Sequence, residues 1–92
     1  MTHVCDITKH VSANHIEYRC GDLPHSTNDE PSIVRWDGTQ EWHCHGKLHR
    51  ENKPAVIRTN GRREWYKDGR RYRDNDMPAV IDGDGALFWY RQ

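Results

Sequence analysis

Short apolar runs punctuate the chain at regular intervals and are separated by polar turns. The stretches "IVRW" and "QEWH" flank Asp37-Gly38, and "AVIR" and "REWYK" flank Asn60-Gly61. Each alternates or is rich in β-branched and aromatic residues, which predicts strands. Asp37-Gly38, Asn60-Gly61 and Asp84-Gly85 predict two-residue type I′ hairpin turns, where both central residues need positive φ. A second turn is expected at Gly46 and at Gly69, followed by a polar link ending at Pro54 or Pro78. Proline cannot donate to a ladder, which places these residues at strand starts or in loops. The expected fold is all-β: an elongated antiparallel β-meander of hairpins joined by irregular links. The opening stretch "CDITKHVSANHI" fits a strand and a short helix equally.

The runs belong to a repeat. Trp42, Gly46, His49 and Arg50 recur as Trp65, Gly69, Tyr72 and Arg73, a spacing of 23, and Pro54-Ala55-Val56-Ile57 recurs as Pro78-Ala79-Val80-Ile81, a spacing of 24. A divergent copy precedes them, with Tyr18 aligned to Trp42, His25 to His49 and "PSIVRWDG" to "PAVIRTNG". A truncated copy, "LFWYRQ", closes the chain. A single domain over 1–92 is expected: an N-terminal cap (1–16), a divergent repeat (17–40), repeats at 41–63 and 64–86, and the truncated repeat (87–92). The string W-x-x-x-G-x-x-[HY]-R, then P-A-V-I, then [ND]-G, is similar to the variant MORN-type repeats of bacterial, phage and giant-virus proteins. That resemblance implies stacked β-hairpins; Asp22 stands where Gly46 and Gly69 stand, a departure in the first copy.

Composition narrows the picture. Only 34% of the 92 residues are hydrophobic and the mean hydropathy is −1.13, so one thin core is expected, with four Trp and four Tyr supplying much of its area. Cys5, Cys20 and Cys44 are odd in number and widely spaced, which argues against a disulfide framework and for a reducing cytoplasm. No apolar run approaches signal-peptide or membrane-spanning length, so the cytoplasm is the expected location.

"WHCHGKLHR", from Trp42, suggests metal at first sight. The repeat argues otherwise, because His49, Cys44 and His45 correspond to Tyr72, Lys67 and Asp68. Cys44 and His45 are also adjacent, and neighbours on a strand face opposite sides. No metal and no cofactor are therefore expected. There is no nucleophile elbow, phosphate loop or paired-carboxylate motif, so no catalytic residues are assigned and the chain is read as a non-enzyme.

Charge gives the remaining signal. The chain is neutral overall, but residues 1–45 carry −4 and residues 46–92 carry +4, and Lys47 to Arg73 holds ten basic residues against Glu51, Glu64 and Asp68. Such a segment suits phosphate or an acidic protein surface. The candidate partner-binding residues are Lys47, Lys53, Arg62, Arg63, Lys67, Arg70 and Arg71. Arg50 and Arg73, fixed parts of the repeat, are read as pairing with its acidic residues or capping carbonyls.

As a whole the chain resembles small phage-encoded anti-CRISPR proteins, specifically those directed at type I surveillance complexes, including subtype I-F. The resemblance implies binding along the Cas backbone and guide RNA, which blocks hybridisation of target DNA. The alternatives are a MORN-like module for protein–protein interaction and a direct nucleic-acid-binding protein. No membrane and no small-molecule substrate are expected.

Overall fold

A computed structural model describes residues 7–74 and 77–89, and among these every regular element is a short β-strand. Thirteen strands run in chain order: β1 (Ile7–Val11), β2 (His15–Cys20), β3 (Leu23–Pro24), β4 (Ile33–Arg35), β5 (Gln40–Glu41), β6 (His43–Cys44), β7 (Lys47–Leu48), β8 (Val56–Ile57), β9 (Arg63–Glu64), β10 (Tyr66–Lys67), β11 (Arg70–Arg71), β12 (Val80–Ile81) and β13 (Leu87–Phe88). The main sheet is an antiparallel meander, β1-β2-β4-β5-β8-β9-β12-β13, with β3 also paired to β2. From Ile7 on, where it is described, the stretch read as strand or helix forms β1, a turn and the start of β2, paired as a hairpin. Asn75-Asp76 of the third repeat and Tyr90 to Gln92 of the truncated one lie outside the described residues.

The Asx-Gly turns are hairpins of a different kind from the one expected. Only the glycines have positive φ: Gly38 (96°), Gly61 (92°) and Gly85 (96°). Gly38, Gly61 and Gly85 N–H groups donate to the carbonyls of Arg35, Arg58 and Asp82, at 2.8, 3.0 and 2.9 Å. The loops therefore hold three residues, a right-handed turn closed by a left-handed glycine. The Asx residue has its own task, because Asp37, Asn60 and Asp84 Oδ1 accept the N–H of Thr39, Arg62 and Ala86 at 2.8, 3.0 and 3.0 Å. Turns with positive φ at both central residues occur instead at His45-Gly46 (48°, 86°) and Asp68-Gly69 (50°, 84°).

The divergent first copy is a full member of the repeat. Tyr18, Trp42 and Trp65 N–H donate to the carbonyls of Ser32, Ala55 and Ala79 at 2.7, 2.8 and 2.7 Å. Their carbonyls in turn accept from His25, His49 and Tyr72 N–H at 3.0, 3.1 and 3.1 Å. Past Trp42 and Trp65 the chain leaves the main sheet for a smaller hairpin, β6–β7 or β10–β11, whereas past Tyr18 β2 runs on to Cys20 and pairs with β3. These hairpins stack, with Gly46 N–H donating to Pro24 C=O at 2.9 Å and Gly69 N–H to Leu48 C=O at 2.8 Å. The molecule measures 38 × 36 × 17 Å, a plate about as wide as it is long.

Strand pairing sorts the side chains. One row of facing residues crosses the main sheet as His10, Glu17, Ile33, Glu41, Val56, Glu64, Val80 and Phe88. Directly opposed residues share a face, and this face holds the buried Ile33, Val56 and Val80. The neighbouring row, Val11, Ile16, Val34, Gln40, Ile57, Arg63, Ile81 and Leu87, lies on the other, more open face. Trp42 and Trp65 join the core, whereas Trp36 and Trp89 are 55% and 50% exposed, so only half of the tryptophans serve as expected. Cys20 is disulfide-bonded and Cys44 is a free thiol, a correction to the reading of reduced cysteines. Antiparallel pairing brings together residues whose spacing along the chain says nothing of contact.

Close approach of successive glycine turns fixes the stacking. A Cβ on Gly83 would overlap the Asn60 carbonyl oxygen, which is backbone and has little room to yield. Gly83→Ala is expected to cost about 1 to 3 kcal/mol, read as a lower urea midpoint with an unchanged slope; an unchanged midpoint would show that the turns are not in register contact.

Candidate functional site

The inner row places three glutamates, Glu17, Glu41 and Glu64, on a face that also forms the core. Each is met by cations from its own or a neighbouring strand. Arg19 Nε lies 2.7 Å from Glu17, and Arg35 Nε 2.8 Å from Glu41. Glu64, only 1% exposed, has the fullest set of partners. Arg58 Nε and Arg62 Nε both reach its Oε2 at 3.0 Å, Tyr66 O–H donates to Oε1 at 2.7 Å, and Arg71 Nη2 stands 3.6 Å away. Burial pushes the Glu64 carboxyl up, but the Tyr66 hydroxyl and the guanidiniums of Arg58 and Arg62 outweigh it and hold it below the ordinary value.

This arrangement divides the candidate binding residues. Arg62 and Arg71 converge on Glu64, and Arg62 also lies 3.6 Å from Asp82. Lys53 Nζ pairs with Asp29 at 3.2 Å. Arg63, Lys67, Arg70 and Lys47 are exposed. Lys67 and Arg70 face each other across β10–β11. Between them the turn at Gly69 packs on the Lys47 side chain, whose carbons would lie 3.8 to 4.0 Å from a Cβ there. Lys47, Lys67 and Arg70 thus form a basic ridge on the stacked hairpins, with Asp68 as the acidic residue of that turn. Arg63 stands apart on the outer row, between Ile57 and Ile81.

A second arrangement recurs at the junctions of the copies. The Arg50 guanidinium stacks on Trp42, 3.7 Å from the ring centre, and Arg73 stacks on Trp65 at 3.9 Å. Each donates from Nη1 to a proline carbonyl, Arg50 to Pro54 at 3.1 Å and Arg73 to Pro78 at 3.2 Å. In the first of these slots Asp29 meets both donors. Its carbonyl accepts the Trp42 indole N–H at 3.0 Å, and its carboxylate takes the Arg50 fork, Nε at 2.9 Å and Nη2 at 3.2 Å. Those bonds to Arg50, against the opposing effect of burial and with help from Lys53, hold the Asp29 carboxyl at about 2. In the second slot the Trp65 indole N–H is buried without a partner among the described residues.

The histidines have a shared structural task. His45 N–H donates to His25 Nδ1 at 3.0 Å, and Asp68 N–H to His49 Nδ1 at 3.1 Å. In both cases an imidazole accepts from the first residue of the next left-handed turn. The expectation that Cys44 and His45 face opposite sides does not hold, because His45 sits in that turn at φ 48° and not on a strand. His25, Cys44 and His45 converge, with ligand atoms all within 4.8 Å of one another. These three residues could hold a metal ion only if His25 gave up the His45 N–H to ligate through Nδ1 or changed tautomer to ligate through Nε2. A backbone N–H always donates, so Nδ1 is unprotonated and Nε2 carries the proton in the neutral ring. A metal-bound histidine instead donates its second N–H outward.

No protein-family model matches the chain, and no similar curated protein or solved structure is found. Among the described residues, no helix is long and apolar enough to cross a membrane.

The Asp29 carboxyl links the first slot to pH. Its value is depressed from 3.8 to about 2, so its pairing stabilises the fold fully above the unfolded value and is lost as pH falls through the folded one. Asp29→Asn is expected to melt below the parent at pH 6, and the gap should close between pH 4 and pH 2. A gap that persists unchanged at pH 2 would mean that the Asp29–Arg50 pair is not its source.

Proposed function

We propose that the protein is a non-catalytic binding module that acts by occupying a polyanionic partner. The observation that carries this reading is the ridge of Lys47, Lys67 and Arg70: three exposed cations brought together by hairpin stacking, with no ion pair to any of them among the described residues. Folding alone gives such a cluster no advantage, since its charges repel; a row of phosphates would relieve that repulsion. Arg71 supports the same reading indirectly, by tying β11 to Glu64 of β9.

The specific partner we propose is a type I CRISPR surveillance complex, bound at its Cas backbone and guide RNA so that target DNA is kept from hybridising. The resemblance of the whole chain to small phage-encoded anti-CRISPR proteins selects the complex, and the ridge supplies chemistry suited to its RNA. A second reading, a MORN-like protein–protein interaction module, is favoured by the open outer row, where Val11 and Leu87 are 64% and 47% exposed.

Reversing Lys47, Lys67 and Arg70 to glutamate is expected to abolish co-elution with a type I-F complex while leaving the thermal melt intact. Binding of single-stranded RNA should weaken with salt, and losing three phosphate contacts should flatten the log–log slope by about 2. Co-elution undiminished in the triple variant would remove the ridge from the interface. A variant reversing Arg62 and Arg71 should instead fail to fold.

A further inference from the structure

We propose that the slot beneath Arg73 is a carboxylate-binding subsite that takes an aspartyl side chain from a partner protein. The proposal stands on a comparison of two copies within this chain and does not depend on the polyanion ridge. The cavities at the two junctions are built from equivalent residues: Trp42, His43, Cys44, His49 and Arg50 line one, and Trp65, Tyr66, Lys67, Tyr72 and Arg73 line the other.

What differs is the linker that closes each cavity. From His25 to Ser32 the chain reads "HSTNDEPS"; from His49 to Ala55 it reads "HRENKPA", one residue shorter and without the aspartate. Asn28 and Asp29 both have positive φ in the first linker (53° and 59°), and Asn52 alone has it in the second (62°). The residue that supplies both a carbonyl to the indole and a carboxylate to the guanidinium is therefore missing. Its two donors remain. The Trp65 indole N–H has no acceptor, and Arg73 keeps only its bond from Nη1 to Pro78, which leaves Nε and Nη2 without an acceptor among the described residues. Trp65 is 6% exposed, whereas Arg73 is half-buried and reachable.

The free protein thus holds a planar guanidinium fork, already oriented by stacking on an indole and by a carbonyl at one end. Preorganisation of this kind favours bidentate pairing with a carboxylate. The cavity is about 320 Å³, at the lower end of the roughly 300 to 1,000 Å³ of small-ligand sites, which suits one side chain and its adjoining backbone. Two acidic residues at its rim are already engaged: Glu51 is 2.9 Å from His49 Nε2, and Asp74 takes a hydrogen bond from the Tyr72 hydroxyl. Lys67, also at the rim, adds positive charge. An aspartyl residue on a tight turn reproduces what Asp29 does in the first slot; its carboxylate meets Arg73 directly, and its carbonyl reaches the covered indole N–H once the short linker yields.

The test uses the full chain labelled with ¹⁵N and a capped peptide copying residues 25–31, "HSTNDEP". The Arg73 Nε–H and Trp65 Nε1–H cross-peaks are expected to move and saturate, with an affinity on the order of 1 mM. The same peptide with asparagine in place of its aspartate should bind at least about tenfold more weakly, because it cannot offer two anionic oxygens. Inserting an aspartate between Asn52 and Lys53 restores the longer linker; it should raise the melting temperature and abolish the peptide response by filling the slot from within. The proposal is overturned if neither cross-peak moves, if both peptides act alike, or if a folded insertion variant still responds. None of these readouts involves RNA, so loss of the ridge reading would leave the result interpretable.

Discussion

A buried carboxylate on the core face of the sheet is the constraint from which most of this structure follows. With so few apolar residues, the inner row has to alternate isoleucine or valine with glutamate: Glu17, Ile33, Glu41, Val56, Glu64 and Val80. A carboxylate out of water costs several kcal/mol unless it is paired and hydrogen-bonded. Each glutamate therefore needs a cation nearby: Arg35 and Arg58 stand six residues before Glu41 and Glu64, and Arg19 two residues after Glu17. The same polar groups that make the sequence look unsuited to a core are what complete it.

Pairing also decides which cations remain for partners. Glu64 draws in Arg58, Arg62 and Arg71, and Asp29 draws in Arg50 and Lys53. The charge surplus of the basic segment then falls on Lys47, Lys67 and Arg70, on the outward side of the small hairpins, on Arg63 of the outer row, and on Arg73 within its slot. Lys67 and the slot at Arg73 stand where one copy departs from another. The framework bonds of Tyr18, Trp42 and Trp65 are the same in every copy, whereas Cys44 becomes Lys67 and the aspartate of the first linker has no counterpart in the second.

Much of the fold was legible in the sequence because hairpin signals are local. Alternation, Asx-Gly pairs and the recurrence of Trp, Gly and Arg gave the strand pattern and the meander. The turn type was not legible from the Asx-Gly pair alone, since the three-residue loop uses the glycine for its φ and the aspartate or asparagine as an acceptor of the N–H two residues on. Candidate binding residues were legible only as a set. Nothing in "GRREWYKDGRRYR" tells Arg62 from Arg63, because what separates them is strand pairing: Arg62 turns in to Glu64, and Arg63 stands on the outer row. The convergence of His25, Cys44 and His45 was missed because His45 was read as a strand residue and occupies a left-handed turn. The open slot at Arg73 does leave a trace in the sequence, the one-residue deficit of "HRENKPA" against "HSTNDEPS", but the trace has meaning only once Asp29 is seen to hold Trp42 and Arg50 together.

The central claim, that pairing of the inner carboxylates holds the plate together, is tested most directly by urea unfolding of Glu64→Gln. The change keeps shape and volume while removing the charge that gathers Arg58, Arg62 and Arg71. A loss of roughly 2 to 4 kcal/mol is predicted, near the lower part of the range for a broken buried pair because the guanidiniums reach water. A variant as stable as the parent would contradict the account and leave the apolar residues of the row as the source of its stability.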